Sequence, residues 1–88
     1  MLIDLEDVCR TVSLVLGHRG TKADDRLMED LGAESIDILG VMVTAEEKYG
    51  VTVDEAAMAT VSTVRDLYDV LLKSPHASIP AADPTRSA

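Results

Sequence analysis

The sequence has no Phe and no Trp, and its only aromatic residues are Tyr49 and Tyr68. Any core must therefore be aliphatic, assembled from Leu, Val, Ile, Met and Ala. Cys9 is the single cysteine, so no intramolecular disulfide can form. Histidine occurs only at positions 18 and 76. A hydrolytic triad would have to recruit one of them as its base, and His18 falls in a loop while His76 falls in the C-terminal tail. Bases are scarce, with 8 Lys and Arg against 16 Asp and Glu, which argues against a nucleic-acid partner, since phosphate binding needs clustered cations. No apolar run is long enough to span a membrane. The start, Met1-Leu2-Ile3-Asp4, lacks the basic region and apolar stretch of a signal peptide, so a soluble cytoplasmic monomer is expected. There is no glycine-rich phosphate loop. Asp24, Asp25, Glu29 and Asp30 lack the spacing and central glycine of a calcium-binding loop. Cys9 lies on an apolar stripe, where it reads as a buried inert thiol.

Eighty-eight residues suffice for one small domain with a thin core. A 47% hydrophobic content is too apolar for a disordered chain. The net charge of −8 is unevenly placed. Residues 1–23 and 56–88 each hold three acids and three bases, whereas residues 24–55 hold ten acids against only Arg26 and Lys48. The middle third therefore carries the whole imbalance, and a field concentrated in this way attracts a basic partner.

Apolar periodicity predicts a small all-α four-helix bundle with three main helices, one short helix and a long first loop. Leu5, Val8, Cys9, Val12, Val15 and Leu16 form one stripe over residues 5–16, which Gly17 ends. Residues 18–34 are a long connection, pinned by Leu27 and Leu31. The second helix spans 35–49, with Ser35 as its expected cap and Gly50 as its stop. Its core stripe is Ile38, Val41, Met42, Ala45 and Tyr49. A second apolar line, Ile36, Leu39 and Val43, lies on another face, and a domain this small cannot bury both. Exposed apolar side chains rimmed by charge suggest docking. Val51-Thr52-Val53 is extended, Asp54 caps a short helix over about 55–59, and 63–73 is the last helix, with Val64, Leu67, Tyr68 and Leu71 inward. The domain is expected to cover 1–74. Residues 75–88, with Pro75, Pro80 and Pro84, read as a disordered tail.

With catalytic and metal motifs missing, the residue that stands out is Ser35, in Asp30-Leu31-Gly32-Ala33-Glu34-Ser35-Ile36-Asp37. It sits at the first turn of a helix reached through a glycine turn, so its hydroxyl should be exposed. A serine that merely caps a helix would need neither the apolar line at 36, 39 and 43 nor the acids Glu34, Asp37, Glu46 and Glu47 on the same helix.

These residues resemble the acyl carrier protein signature, in which an Asp-Ser-Leu core follows Leu-Gly-Ala or Leu-Gly-x. The likeness continues through Ala45-Glu46-Glu47-Lys48-Tyr49-Gly50-Val51, similar to the family's Leu-Glu-Glu-x-Phe-Gly-Ile. It runs on to Val61-Ser62-Thr63-Val64-Arg65-Asp66-Leu67, similar to Ile-x-Thr-Val-x-Asp, and covers about residues 3–73. The resemblance implies a non-catalytic carrier. A phosphopantetheinyl transferase would attach 4′-phosphopantetheine to Ser35, and the thiol of that arm would hold an acyl group as a thioester. It also implies that the second helix is read by acyl-loading, condensing or tailoring enzymes with basic docking patches. The acids read would be Glu34, Asp37, Glu46 and Glu47, and the apolar contacts Ile36, Leu39 and Val43. Glu34 replaces the usual Asp, Ile36 the usual Leu, and Gly40 stands where many fatty-acid carriers have Glu. Thr44, Ala45 and a weakly acidic third helix depart further. These changes lean towards a specialised route, such as polyketide synthesis, over primary fatty-acid synthesis. Two other readings stay open at this level: an aminoacyl or peptidyl carrier of the same fold, and an unmodified helical adaptor. Gly32-Ala33-Glu34-Ser35 argues mildly against the first, because peptidyl carriers more often show Gly-Gly before the serine pair.

Overall fold

The computed structural model describes residues 3–76. Helix α1 spans Leu5–Leu16, α2 Ser35–Tyr49, α3 Glu55–Met58 and α4 Val64–Lys73. Among the described residues the only β-type pairings are two isolated antiparallel bridges, Arg26 with Thr63 and Val51 with His76. The expected all-α four-helix architecture is what forms.

Each helix has a local reason to start and stop. The first turn of α1 carries Glu6 and Asp7, which complement the positive end of the helix dipole. Helix α3 begins where the Asp54 carboxylate accepts the Ala56 amide at 3.1 Å. In α4, Thr63 Oγ1 accepts the Asp66 amide at 3.1 Å, and Asp66 Oδ2 accepts the Thr63 and Ser62 amides at 3.1 and 3.0 Å. Those two amide bonds to its carboxylate hold Asp66 below its ordinary pKa. Gly50 closes α2 at φ +66°, in the left-handed region where a side chain would be strained.

Apart from Tyr49, the core is aliphatic, as the scarcity of aromatics requires. Val8 and Val12 of α1, Val41, Met42 and Ala45 of α2, and Val64, Leu67 and Leu71 of α4 are all buried. Ile38 and Tyr68 pack against this core from its edge, half-buried. Cys9 is also only half-buried, and loss of water around it pushes its thiol pKa up, consistent with an inert thiol.

The long first loop is held more firmly than two pins would achieve. Leu27 is 1% exposed and Ala33, which periodicity did not single out, is buried as well. The loop backbone is stitched to the start of α4: Leu27 N–H donates to Ser62 O at 2.9 Å, Val64 N–H to Asp25 O at 3.1 Å, and Arg65 N–H to Ala23 O at 2.8 Å. The loop acids are spent locally. Asp25 Oδ2 accepts the Lys22 amide, Asp30 Oδ2 accepts the Arg26 amide, both at 2.8 Å, and Asp24 pairs with the Arg65 guanidinium at 3.1 Å.

The fold runs past the expected boundary at residue 74. Thr52 N–H donates to Pro75 O at 3.0 Å and Val51 bridges His76, so the extended stretch before α3 has a partner strand one residue wide. The disorder expected from residue 75 is therefore corrected at 75 and 76. The rest of that tail, 77–88, lies outside the described residues.

A polar knot joins α1 to the end of α2. Tyr49 OH donates to Asp7 Oδ2 at 2.6 Å, Lys48 Nζ reaches the same oxygen at 3.0 Å, and Lys48 also donates to Thr11 Oγ1 at 2.9 Å. Burial first, and the Asp7 carboxylate second, push the Tyr49 pKa up to about 12. The hydrogen bonds from Tyr49 and then Lys48 hold Asp7 below its ordinary value.

Two tests follow from this packing. Met42→Ala and Leu67→Ala should each cost about 2–5 kcal/mol in urea unfolding, because both side chains are buried, whereas Leu39→Ala should cost less than about 1 kcal/mol. Equal losses at all three positions would refute the division of α2 into a buried and an exposed face. The second test is alkaline. A phenol whose folded pKa is raised stabilises the fold fully below its unfolded value, and that contribution is lost as pH rises through the folded value. The stability of the natural chain should thus fall between its unfolded tyrosine value of 10.0 and about 12. Tyr49→Phe should fall less across the same window in a series of urea titrations.

Candidate functional site

The site is built at the start of α2. Gly32 has φ +72° and turns the loop into the helix, while Ala33 is buried and anchors the turn. Ala33 N–H donates to Leu27 O at 2.9 Å, which ties the turn to the pinned part of the loop. The chain then enters α2 through Glu34, whose amide donates to Asp37 Oδ2 at 2.9 Å.

That bond corrects one expectation. Glu34, not Ser35, occupies the cap position, and Ser35 is the first residue inside the helix. The physical consequence favours reactivity. A capping serine would have its oxygen committed to the helix amides, whereas Ser35 Oγ makes no hydrogen bond among the described residues and is exposed. Glu34 and Asp37 close the helix start as a reciprocal capping box, and the Ser35 and Ile36 amides between them take no part in it. Unpaired amides at the positive end of a helix favour an anion close to the Ser35 oxygen. A phosphodiester on that oxygen fits both the free hydroxyl and the amides.

Beside Ser35 lies an open groove of about 350 Å³ lined by Met28, Ser35, Ile38, Leu39, Met58, Ala59 and Val61. One wall is α2 and the other is α3 with the turn after it. Except for Ser35, the lining side chains are apolar, and Met28 and Met58 can adapt their shape to a neighbour.

The second apolar line on α2 is exposed as its spacing predicts: Ile36 is 73% exposed, Leu39 49% and Val43 46%. The four acids of the same helix do not behave alike. Glu47 is exposed, and so is Glu34. Asp37 is committed to the Glu34 amide. Glu46 was expected to be exposed, but it is half-buried and its Oε2 accepts the Val53 amide at 2.8 Å. Sequence alone gave no signal for this bond, because it depends on how the chain folds back after Gly50. Gly40 faces α1, where an added Cβ would meet Val15 Cγ1 at 3.8 Å, so a larger residue here would lean on α1.

Among the described residues no helix is long and apolar enough to cross a membrane, and no group of three or more His, Cys, Asp or Glu side chains could hold a metal ion.

Residues 6–71 match the phosphopantetheine attachment site family. An acyl carrier protein of Thermotoga maritima is 38% identical over 48 residues, a stretch spanning 54% of this chain and 59% of that relative. The matched part is thus a little under two thirds of that relative's length. Among solved structures, an acyl carrier protein of Mycobacterium tuberculosis superposes with a TM-score of 0.73 over 77% of this chain and 93% of its own, at 23% identity. The acetyl actinorhodin acyl carrier protein of Streptomyces coelicolor superposes with a TM-score of 0.65 at 27% identity, over 81% of this chain and 88% of its own. The family match spans both the helix that carries Ser35 and the helices that pack behind it. The chain belongs to the phosphopantetheine attachment family, that of the acyl carrier proteins.

Proposed function

We propose that this chain carries acyl groups as thioesters on a 4′-phosphopantetheine arm attached to Ser35, and that it catalyses nothing itself. The observation that carries this reading is the free, exposed Ser35 hydroxyl at the first residue of α2, inside the family's motif. Attachment is a phosphoryl-type transfer. Ser35 Oγ forms a bond to the phosphorus of coenzyme A that bears the pantetheine. The bond from that phosphorus to the bridging diphosphate oxygen breaks, adenosine 3′,5′-bisphosphate leaves, and the serine proton passes to a base on the transferase. When attached, the arm supplies a terminal thiol that holds the acyl group in a form reactive towards acyl transfer. Its length and flexibility raise the effective concentration of that group at successive enzymes.

The chain's own residues do the presenting. The first-turn amides of α2 favour the phosphodiester charge. Ile36, Leu39 and Val43 offer apolar contact to partner enzymes, and the exposed acids Glu34 and Glu47 draw in a basic docking patch. The partners are a phosphopantetheinyl transferase and acyl-loading, condensing or tailoring enzymes, with the chain acting as a monomer. The route is a specialised one, of polyketide type. Gly40, Thr44, Ala45 and the weakly acidic α3, which depart from the fatty-acid pattern, support this reading.

The test is intact mass after incubation with coenzyme A, magnesium and a promiscuous transferase. The natural chain should gain one phosphopantetheine, and Ser35→Ala, with its fold checked by circular dichroism, should gain none. A natural chain that stays unmodified with several transferases would leave it an unmodified adaptor, and a mass gain by Ser35→Ala would move the site elsewhere.

A further inference from the structure

Glu46 stands next to the exposed Glu47 but has a different environment. Its carbonyl oxygen accepts the Gly50 amide at 2.9 Å and the Val51 amide at 3.3 Å, closing α2. Its carboxylate accepts the Val53 amide at 2.8 Å. One residue thus gathers three of the first four amides that leave the helix. Val51 and Val53 are each 5% exposed, so this segment is packed as well as bonded. Asp54 follows at once and starts α3. Helix α3 has only four residues, too few to hold a position through its own hydrogen bonds. It packs against α4 and is anchored at its two ends, by the Glu46–Val53 bond, the Thr52–Pro75 bond and the buried valines before it, and by Met58 and Val61 at its far side. Those far-side residues, with Ala59, form the wall of the groove that faces Ser35 and Leu39.

We infer that Glu46 is a positioning residue: its carboxylate works inward, holding the α3 wall of the groove beside Ser35, instead of lending its charge to a partner enzyme. The inference depends on the carrier reading only for what the groove serves. An inward role requires a hydrogen-bond acceptor at Val53 and no charge, whereas an outward role requires the charge. Glu46→Gln keeps the acceptor oxygen and loses the charge, Glu46→Ala loses both, and Glu47→Gln removes an exposed charge with no internal bond.

The experiment compares these three variants with the natural chain. On the unmodified protein, NMR would follow exchange of the Val53 amide and the methyl signals of Met58 and Met42. Transferase kinetics would then be measured at low and high salt. Glu46→Gln should keep Val53 exchange within about threefold, while Glu46→Ala should speed it about tenfold or more. Glu46→Ala should also displace the Met58 methyl signal and leave the Met42 signal of the core in place, which shows that the fold survives. In loading, Glu46→Gln should stay within about twofold of the natural KM, whereas Glu47→Gln should raise KM at low salt and lose that effect at high salt. The inference is overturned if Glu46→Ala leaves Val53 and Met58 unchanged, or if Glu46→Gln raises KM with the same salt dependence as Glu47→Gln. Failure of the carrier reading would show separately, as absence of loading, and leaves the exchange and methyl results free to decide the role of Glu46.

Discussion

Burial of Val41, Met42, Ala45 and Tyr49 fixes the rotation of α2 about its own axis, and the site depends on that rotation. A step of two residues turns a helix by roughly 200°, so burying Val41 on the side of α2 that packs on α1 sends Leu39 and Val43 towards solvent. Ser35 lies four residues before Leu39 and so shares its side of the helix. With Tyr49 its only aromatic, this seat is made mostly of small aliphatic contacts, and it tolerates little slippage. A rotation of one residue would bury the exposed line and swing the serine away from the groove. The Tyr49–Asp7–Lys48 knot at the far end of α2 acts against such a rotation, because it ties the last turn to α1 through groups that need defined directions.

The Ser35 end of α2 is set by a second constraint, the tethering of the first loop. The loop would be free to wander if only Leu27 and Leu31 held it. Its backbone bonds to Ser62, and those from Val64 and Arg65 back to it, attach it to the entry of α4, which is itself part of the core. Gly32 and Ala33 therefore deliver Glu34 and Ser35 from a fixed support. The capping work falls to Glu34 and Asp37, whose side chains form a reciprocal capping box, and this leaves the serine oxygen unclaimed.

Much of this was legible in the residue pattern. The bounds of α1 and α2 follow from apolar spacing and from Gly17 and Gly50, and the two faces of α2 follow from the positions of Ile36, Leu39 and Val43. Ser35, the proposed attachment point, is singled out by its motif and by its place at the first turn of α2. What the pattern could not give were the contacts made across chain breaks in periodicity. Asp25, Asp30 and Glu46 read as surface charge because a carboxylate accepting a backbone amide has the same spelling as one facing water. Pro75 and His76 read as tail because a single bridge to Val51 and Thr52 leaves no periodic trace. The capping role of Glu34 was hidden by Ser35, which is the better cap by type. The excess of acids in residues 24–55 is thus partly structural: some of these charges hold the loop and the α3 entry, and Glu47 and Glu34 remain open to a partner.

The central claim is that a rigid support presents Ser35 for loading without rearranging. Amide NMR spectra recorded before and after conversion with coenzyme A, magnesium and a transferase test it most directly. The largest shifts should fall on Glu34, Ser35 and Ile36, with smaller ones along Met58 to Val61, and the amides of Val12, Val41 and Leu67 should stay where they were. Shifts centred on another serine, or spread through Val12, Val41 and Leu67, would contradict the account.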